Sequence, residues 1–80
     1  MFQDRYKKAM LRIALQLGKQ NNPLSLEFWD LSRKEIREKE RDSLTIGMIQ
    51  GAELYARFPK DENAMESCKN VITYLKARCV

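Results

Sequence analysis

Cys68 and Cys79 are the two thiols of a chain that contains no histidine. A thiolate or serine nucleophile activated by imidazole is therefore closed to it, as is histidine acid–base catalysis. Two thiolates also fall short of the ligand set of a zinc site. If both cysteines lie on one helix, the eleven steps between them span about 16 Å. A disulfide requires Cα atoms within about 7 Å, so the two cannot bridge within the chain. Cys68 reads instead as a small core residue. The acidic side chains sit mostly in mixed-charge surroundings, and no glycine-rich loop is spaced to cradle phosphate. These residues predict a protein without catalysis and without a bound cofactor or metal.

Binding chemistry is better represented. At 100° per residue, Arg5, Lys8, Arg12 and Lys19 fall within about 60° on one helical flank. Residues 1–22 carry five basic side chains and one acid, whereas residues 23–80 carry ten of each. The whole net charge of +4 thus belongs to the first segment. Such a stripe can steer an anionic partner, nucleic acid included. A second set of residues suits contact with protein. Trp29 is the lone tryptophan, a type enriched at interface hot spots. Phe2, Tyr6 and Ile46 are further candidate anchors. Gly47 and Gly51 stand four apart on an apolar helix, where each costs about 1 kcal/mol relative to alanine. Close approach of another backbone would offset that cost. The approaching helix is expected within the monomer, with a partner protein or a second copy of the chain as alternatives.

Asp42-Ser43-Leu44 resembles the D-S-L of acyl carrier proteins, which implies a phosphopantetheine-bearing serine at a helix start. The basic character of the chain departs from that acidic family. Met48, Gly51, Ala52, Tyr55, Ala64, Cys68 and Val71 are spaced much as in a tetratricopeptide-type helical hairpin. That likeness implies an antiparallel helix pair, without a repeat array.

The elements that must position these residues are helical. Phe2, Tyr6, Met10, Ile13 and Leu17 recur every three or four residues, predicting a helix over 2–20 that ends at Gly18 and Asn21-Asn22-Pro23. Asn22 and Pro23 suit an N-cap and first helical position, opening a short helix over 23–31. Ser32 and Glu35 match a capping box, and Leu31 and Ile36 occupy the positions of a hydrophobic staple. Nine of the ten residues from Arg33 to Asp42 are charged, but only one from Leu44 to Leu54. We read this junction as one helix over 33–57 passing from water into the core, its apolar half central and covered on most sides. A break near Asp42-Ser43 is the alternative, since either residue can cap a new helix. Phe58-Pro59 ends it. Asn63 and Glu66 suggest another capping box, before a last helix over 63–78.

The expected fold is all-α, a single-domain bundle of three to four helices. No apolar run approaches the roughly 20 residues of a membrane span, and Arg12 and Gln16 interrupt the N-terminal apolar pattern. A cytoplasmic protein is the expectation. The leading function is a small helical protein-binding module, an adaptor, small chaperone or regulator docking on a larger protein. The alternative is nucleic-acid binding through the basic stripe.

Overall fold

The computed structural model describes residues 2–80, and it is an all-α bundle of four helices. They are α1 (Phe2–Lys19), α2 (Ser25–Ser32), α3 (Ser43–Arg57) and α4 (Glu62–Arg78), with a single 3-10 turn at Glu38–Glu40. α1 packs chiefly on α2 and α3 on α4, and contacts between α1 and α3 join the two pairs. The core is drawn from all four helices: Tyr6, Met10, Ile13 and Leu17 of α1, Phe28 and Leu31 of α2, Ile49 and Tyr55 of α3, and Cys68, Val71 and Leu75 of α4.

The inward face of α1 is the one its spacing predicts. Gly18 lies inside this helix, and Asn21 takes the left-handed conformation that closes it, with φ 57°. The Asn22 amide then donates to Leu17 O at 2.9 Å, the long return bond of a Schellman-type end. The second helix starts later than expected, at Ser25 rather than Pro23, with Leu24 at its cap position and no side-chain cap. Asn22 shapes the turn before it. Its side-chain oxygen accepts from Leu24 N at 3.0 Å, and its amide group donates to the Tyr55 hydroxyl at 2.7 Å.

The expected helix over 33–57 is not formed, and the break falls at the alternative position. Asp42 is the N-cap of α3, accepting from Thr45 N at 2.9 Å. Ser32 caps nothing; its hydroxyl donates back to Trp29 O, and α2 ends there. The reason lies in Ile36, the single apolar residue between Leu31 and Leu44. A continuous 25-residue helix would run about 37 Å, longer than the 34 Å long axis of the whole molecule. The chain instead turns back and buries Ile36 completely. That burial contributes about 1.5–3 kcal/mol, against about 0.2–0.5 kcal/mol for each helical ion pair forgone. The backbone around Ile36 is satisfied by a short antiparallel bridge to Cys79. Arg37 N donates to Arg78 O at 3.0 Å, and Val80 N to Glu35 O at 2.8 Å. The charged run finds new partners, with Glu35 near Lys7 at 4.0 Å and Glu40 near Arg78 at 3.4 Å.

α3 is also less enclosed than its composition predicts. Thr45, Ile49, Ala52, Tyr55 and Ala56 are buried, while Leu44, Ile46, Leu54 and Phe58 are exposed. Gly47 and Gly51 do not press against a neighbouring helix. A methyl group at either position would meet nothing within 4 Å beyond its own helix backbone. Thr45, Ile49, Ala52, Tyr55 and Ala56 take the core-facing side, which leaves the glycines outside together with Leu44 and Leu54.

α4 starts one residue earlier than expected. Asp61, rather than Asn63, is its N-cap, accepting from Asn63 N and Ala64 N at 2.9 and 3.2 Å. Phe58, Pro59, Lys60 and Asp61 join α3 and α4 into the helical hairpin that the tetratricopeptide likeness implies, although Gly51 is half-exposed rather than at its seam.

Candidate docking surface

Two surfaces flank α3, and the first is a groove between it and α1. Phe2, Tyr6 and Ala9 of α1 and Ile46 and Ile49 of α3 supply its apolar lining. Arg5, Lys8 and Arg12 stand along the α1 wall, and Gln50 and Glu53 along the α3 wall. The groove has a volume of about 550 Å³, within the ~300–1,000 Å³ range of ligand-binding clefts. Arg12 spans it, donating to Glu53 Oε1 at 3.1 Å. Arg5 and Lys8 are exposed and make no ion pair among the described residues.

The groove unites residues that the sequence suggests for different purposes. Phe2, Tyr6 and Ile46, proposed as protein contacts, meet Arg5, Lys8 and Arg12, proposed for an anionic partner. Tyr6 forms part of the floor only. Its side chain is 1% exposed and its hydroxyl is committed to Leu31 O at 2.9 Å, with Cys79 Sγ at 3.4 Å. Burial and the neighbouring Cys79 raise its phenol well above the ordinary tyrosine range. Lys19 lies seven residues beyond Arg12, about 10 Å along the helix, and does not line the groove. The apolar face of α1 is spent on the core, so α1 cannot lay that face on a membrane while the bundle is intact.

The second surface is the outer side of α3. Leu44, Gly47, Gly51 and Leu54 fall within 80° of arc at 100° per residue, and Phe58 follows at the C-cap. Their spacing is three, four, three, four, the alternation by which one helix presents a seam to another. Leu44, Leu54 and Phe58 are 61%, 53% and 58% exposed. Sequence reasoning placed the two glycines on an apolar arc but missed this register, which the spacing itself contains. Trp29 belongs to neither surface; it is half-buried on α2 against the core.

Ser43 is exposed at the first turn of α3, the position that the acyl-carrier likeness requires, but that helix carries only Glu53 as an acid. Cys68 is buried, which pushes its thiol up to about 11, and Cys79 is partly covered; neither is bonded to the other. Among the described residues, no three His, Cys, Asp or Glu side chains are grouped to hold a metal ion. Nor, among the described residues, is any helix long and apolar enough to cross a membrane. No protein-family model, curated protein or solved structure matches the chain.

Proposed function

We propose that this chain is a non-enzymatic helical protein-binding module that docks on a larger protein through the outer face of α3. The observation that carries this reading is the exposed seam of Leu44, Gly47, Gly51, Leu54 and Phe58. Contiguous apolar surface on a small domain marks a contact site. Two glycines one turn apart, with open space before them, leave room for a partner helix at the short end of the usual 8–10 Å interaxial distance. Docking would also stabilise a domain of limited core by mass action.

The test is affinity capture from native lysate, with and without nuclease, using the unaltered chain and the variants Leu54→Glu and Gly47→Leu. One stoichiometric protein recovered with and without nuclease, and lost with either variant, supports the reading. Capture indifferent to both variants overturns the site. Sedimentation equilibrium on the purified chain separates a second copy from a foreign partner.

The second reading, nucleic-acid binding, draws on the unpaired Arg5 and Lys8. Arg12 is already paired with Glu53, so the stripe reduces to three available charges, Arg5 and Lys8 together and Lys19 apart from them. Three phosphate contacts give a log–log salt slope of roughly −3 on duplex DNA. Capture that disappears on nuclease treatment would favour it.

A further inference from the structure

We infer that the α1–α3 groove is a second docking site, built to take an acidic amphipathic helical segment of a protein. This rests on the reading of the chain as a protein-binding module, but it concerns the opposite flank of α3 from the outer seam. Three features of the groove select the occupant. Its lining is apolar, with Phe2, Ala9, Ile46 and Ile49 from facing helices, which suits aliphatic or aromatic side chains at helical spacing. Its charge is one-sided. Arg5, Lys8 and Arg12 line the α1 wall, while the α3 wall offers Gln50 and a Glu53 already occupied by Arg12. The spacing of the cations matches a helix. Arg5 and Lys8 are one turn apart and Arg12 the next, so the row covers about 10 Å, two turns of a bound helix bearing carboxylates on one flank.

Charge complementarity distinguishes this occupant from the others. A second copy of the chain carries its acidic stretch, Asp61, Glu62 and Glu66, at the start of α4, whose apolar face is already packed into its own core. A nucleic-acid backbone would match the α1 wall but would set phosphates over an aliphatic floor and beside the Glu53 carboxylate. A peptide that places its apolar residues on the floor and its acids against Arg5 and Lys8 satisfies both. Arg12 can remain on Glu53 or move to the incoming carboxylate without leaving a buried charge, since both are partly exposed.

The experiment is selection of a random 16-residue peptide library displayed on phage against the full chain. Affinities of the selected peptides are then measured by fluorescence anisotropy on the unaltered chain, on the double variant Arg5→Glu/Lys8→Glu and on Lys19→Glu. All three proteins are checked for unchanged helicity, and a 20-base-pair duplex DNA is measured alongside. The expected result is enrichment of net-acidic peptides with apolar residues at i, i+3/i+4 and i+7. The double variant should lose at least tenfold in affinity and Lys19→Glu less than twofold. Amide shift changes on peptide addition should centre on Phe2, Arg5, Lys8, Ile46, Ile49 and Gln50. Selection without acidic bias, absence of any binder, equal losses in the double variant and Lys19→Glu, or tighter DNA binding through Arg5 and Lys8 would each overturn the assignment. Leu54→Glu should leave peptide affinity unchanged, so failure here and failure of the outer seam are read separately.

Discussion

Gln3 holds the backbone of Ile36 with both ends of its side-chain amide. Its Nε2 donates to Ile36 O at 2.8 Å, and its Oε1 accepts from Ile36 N at 3.3 Å. A glutamine in the first turn of α1 thus stands in for a neighbouring strand. The Arg37 and Val80 amides complete the pairing from the other side. Three distant parts of the chain meet at one residue, and the loop over 33–42 is fixed there.

This junction is expected to be sensitive. Gln3→Ala leaves the Ile36 amide without its partner, a loss of about 1–3 kcal/mol for a buried group. Ile36→Ala removes a fully buried side chain and should cost about 2–5 kcal/mol. Urea denaturation at pH 7 reads both. A Gln3→Ala midpoint equal to that of the unaltered protein would show that the amide clamp contributes nothing.

The same junction shows what the sequence makes legible. α1 and α4 follow from spacing, because each has one apolar face and a polar remainder. The fate of Arg33–Asp42 does not follow from spacing. Its capping-box letters and alternating charges are locally consistent with helix, and the deciding partners, Gln3 and Cys79, lie more than 30 residues away in either direction. The staple pair is half right: Leu31 and Ile36 are both buried, but without the helix between them. In α3 the difficulty is different. With apolar or small residues over most of the wheel, composition cannot say which side faces inward. The fold seats Ile49 and Tyr55 in the core with the small Thr45, Ala52 and Ala56, and leaves the glycines outside with Leu44 and Leu54. The basic stripe was legible on α1, but the groove needs Ile46, Ile49 and Gln50 opposite it, a pairing only the tertiary fold supplies.

The outward glycines lead to a stability prediction with a binding counterpart. Gly47→Ala and Gly51→Ala each add a methyl group to open space and remove the helical penalty of glycine. Each should raise stability by about 1 kcal/mol, measured by urea denaturation. If the seam accepts a partner helix, the same substitutions weaken partner capture. Destabilisation by either alanine would mean that the glycines are packed after all.

Asp42 predicts a response to acid. Its carboxylate accepts from Thr45 N, and this bond, with a smaller contribution from the charge of Arg78, holds it below the usual carboxylate range. A folded-state value below the unfolded one contributes stability above the unfolded value of 3.8, and that stability is lost as pH falls through the lower folded value. Melting temperature should therefore drop below pH 4 more steeply for the unaltered chain than for Asp42→Asn, which keeps an acceptor oxygen without titrating. Parallel curves would remove the charge from the account of this cap.

At the alkaline end, two buried groups act in the same direction. Burial raises the Cys68 thiol from 9.0 to about 11. Burial and the adjacent Cys79 raise the Tyr6 phenol above 10.0. In the unfolded chain both lose their protons earlier than in the folded one. The stability they confer is whole below pH 9 and falls as pH rises, first through Cys68 and above pH 10 through Tyr6 as well. Cys68→Ala should flatten the decline between pH 9 and 10, at the expense of some packing at neutral pH. Tyr6→Phe should flatten it only above pH 10, while losing the bond to Leu31 O at every pH. Iodoacetamide at pH 8 offers a direct check: Cys79 should alkylate well before Cys68. Prompt reaction of Cys68 in the folded protein would place it at the surface, against the packing of α4 on the core.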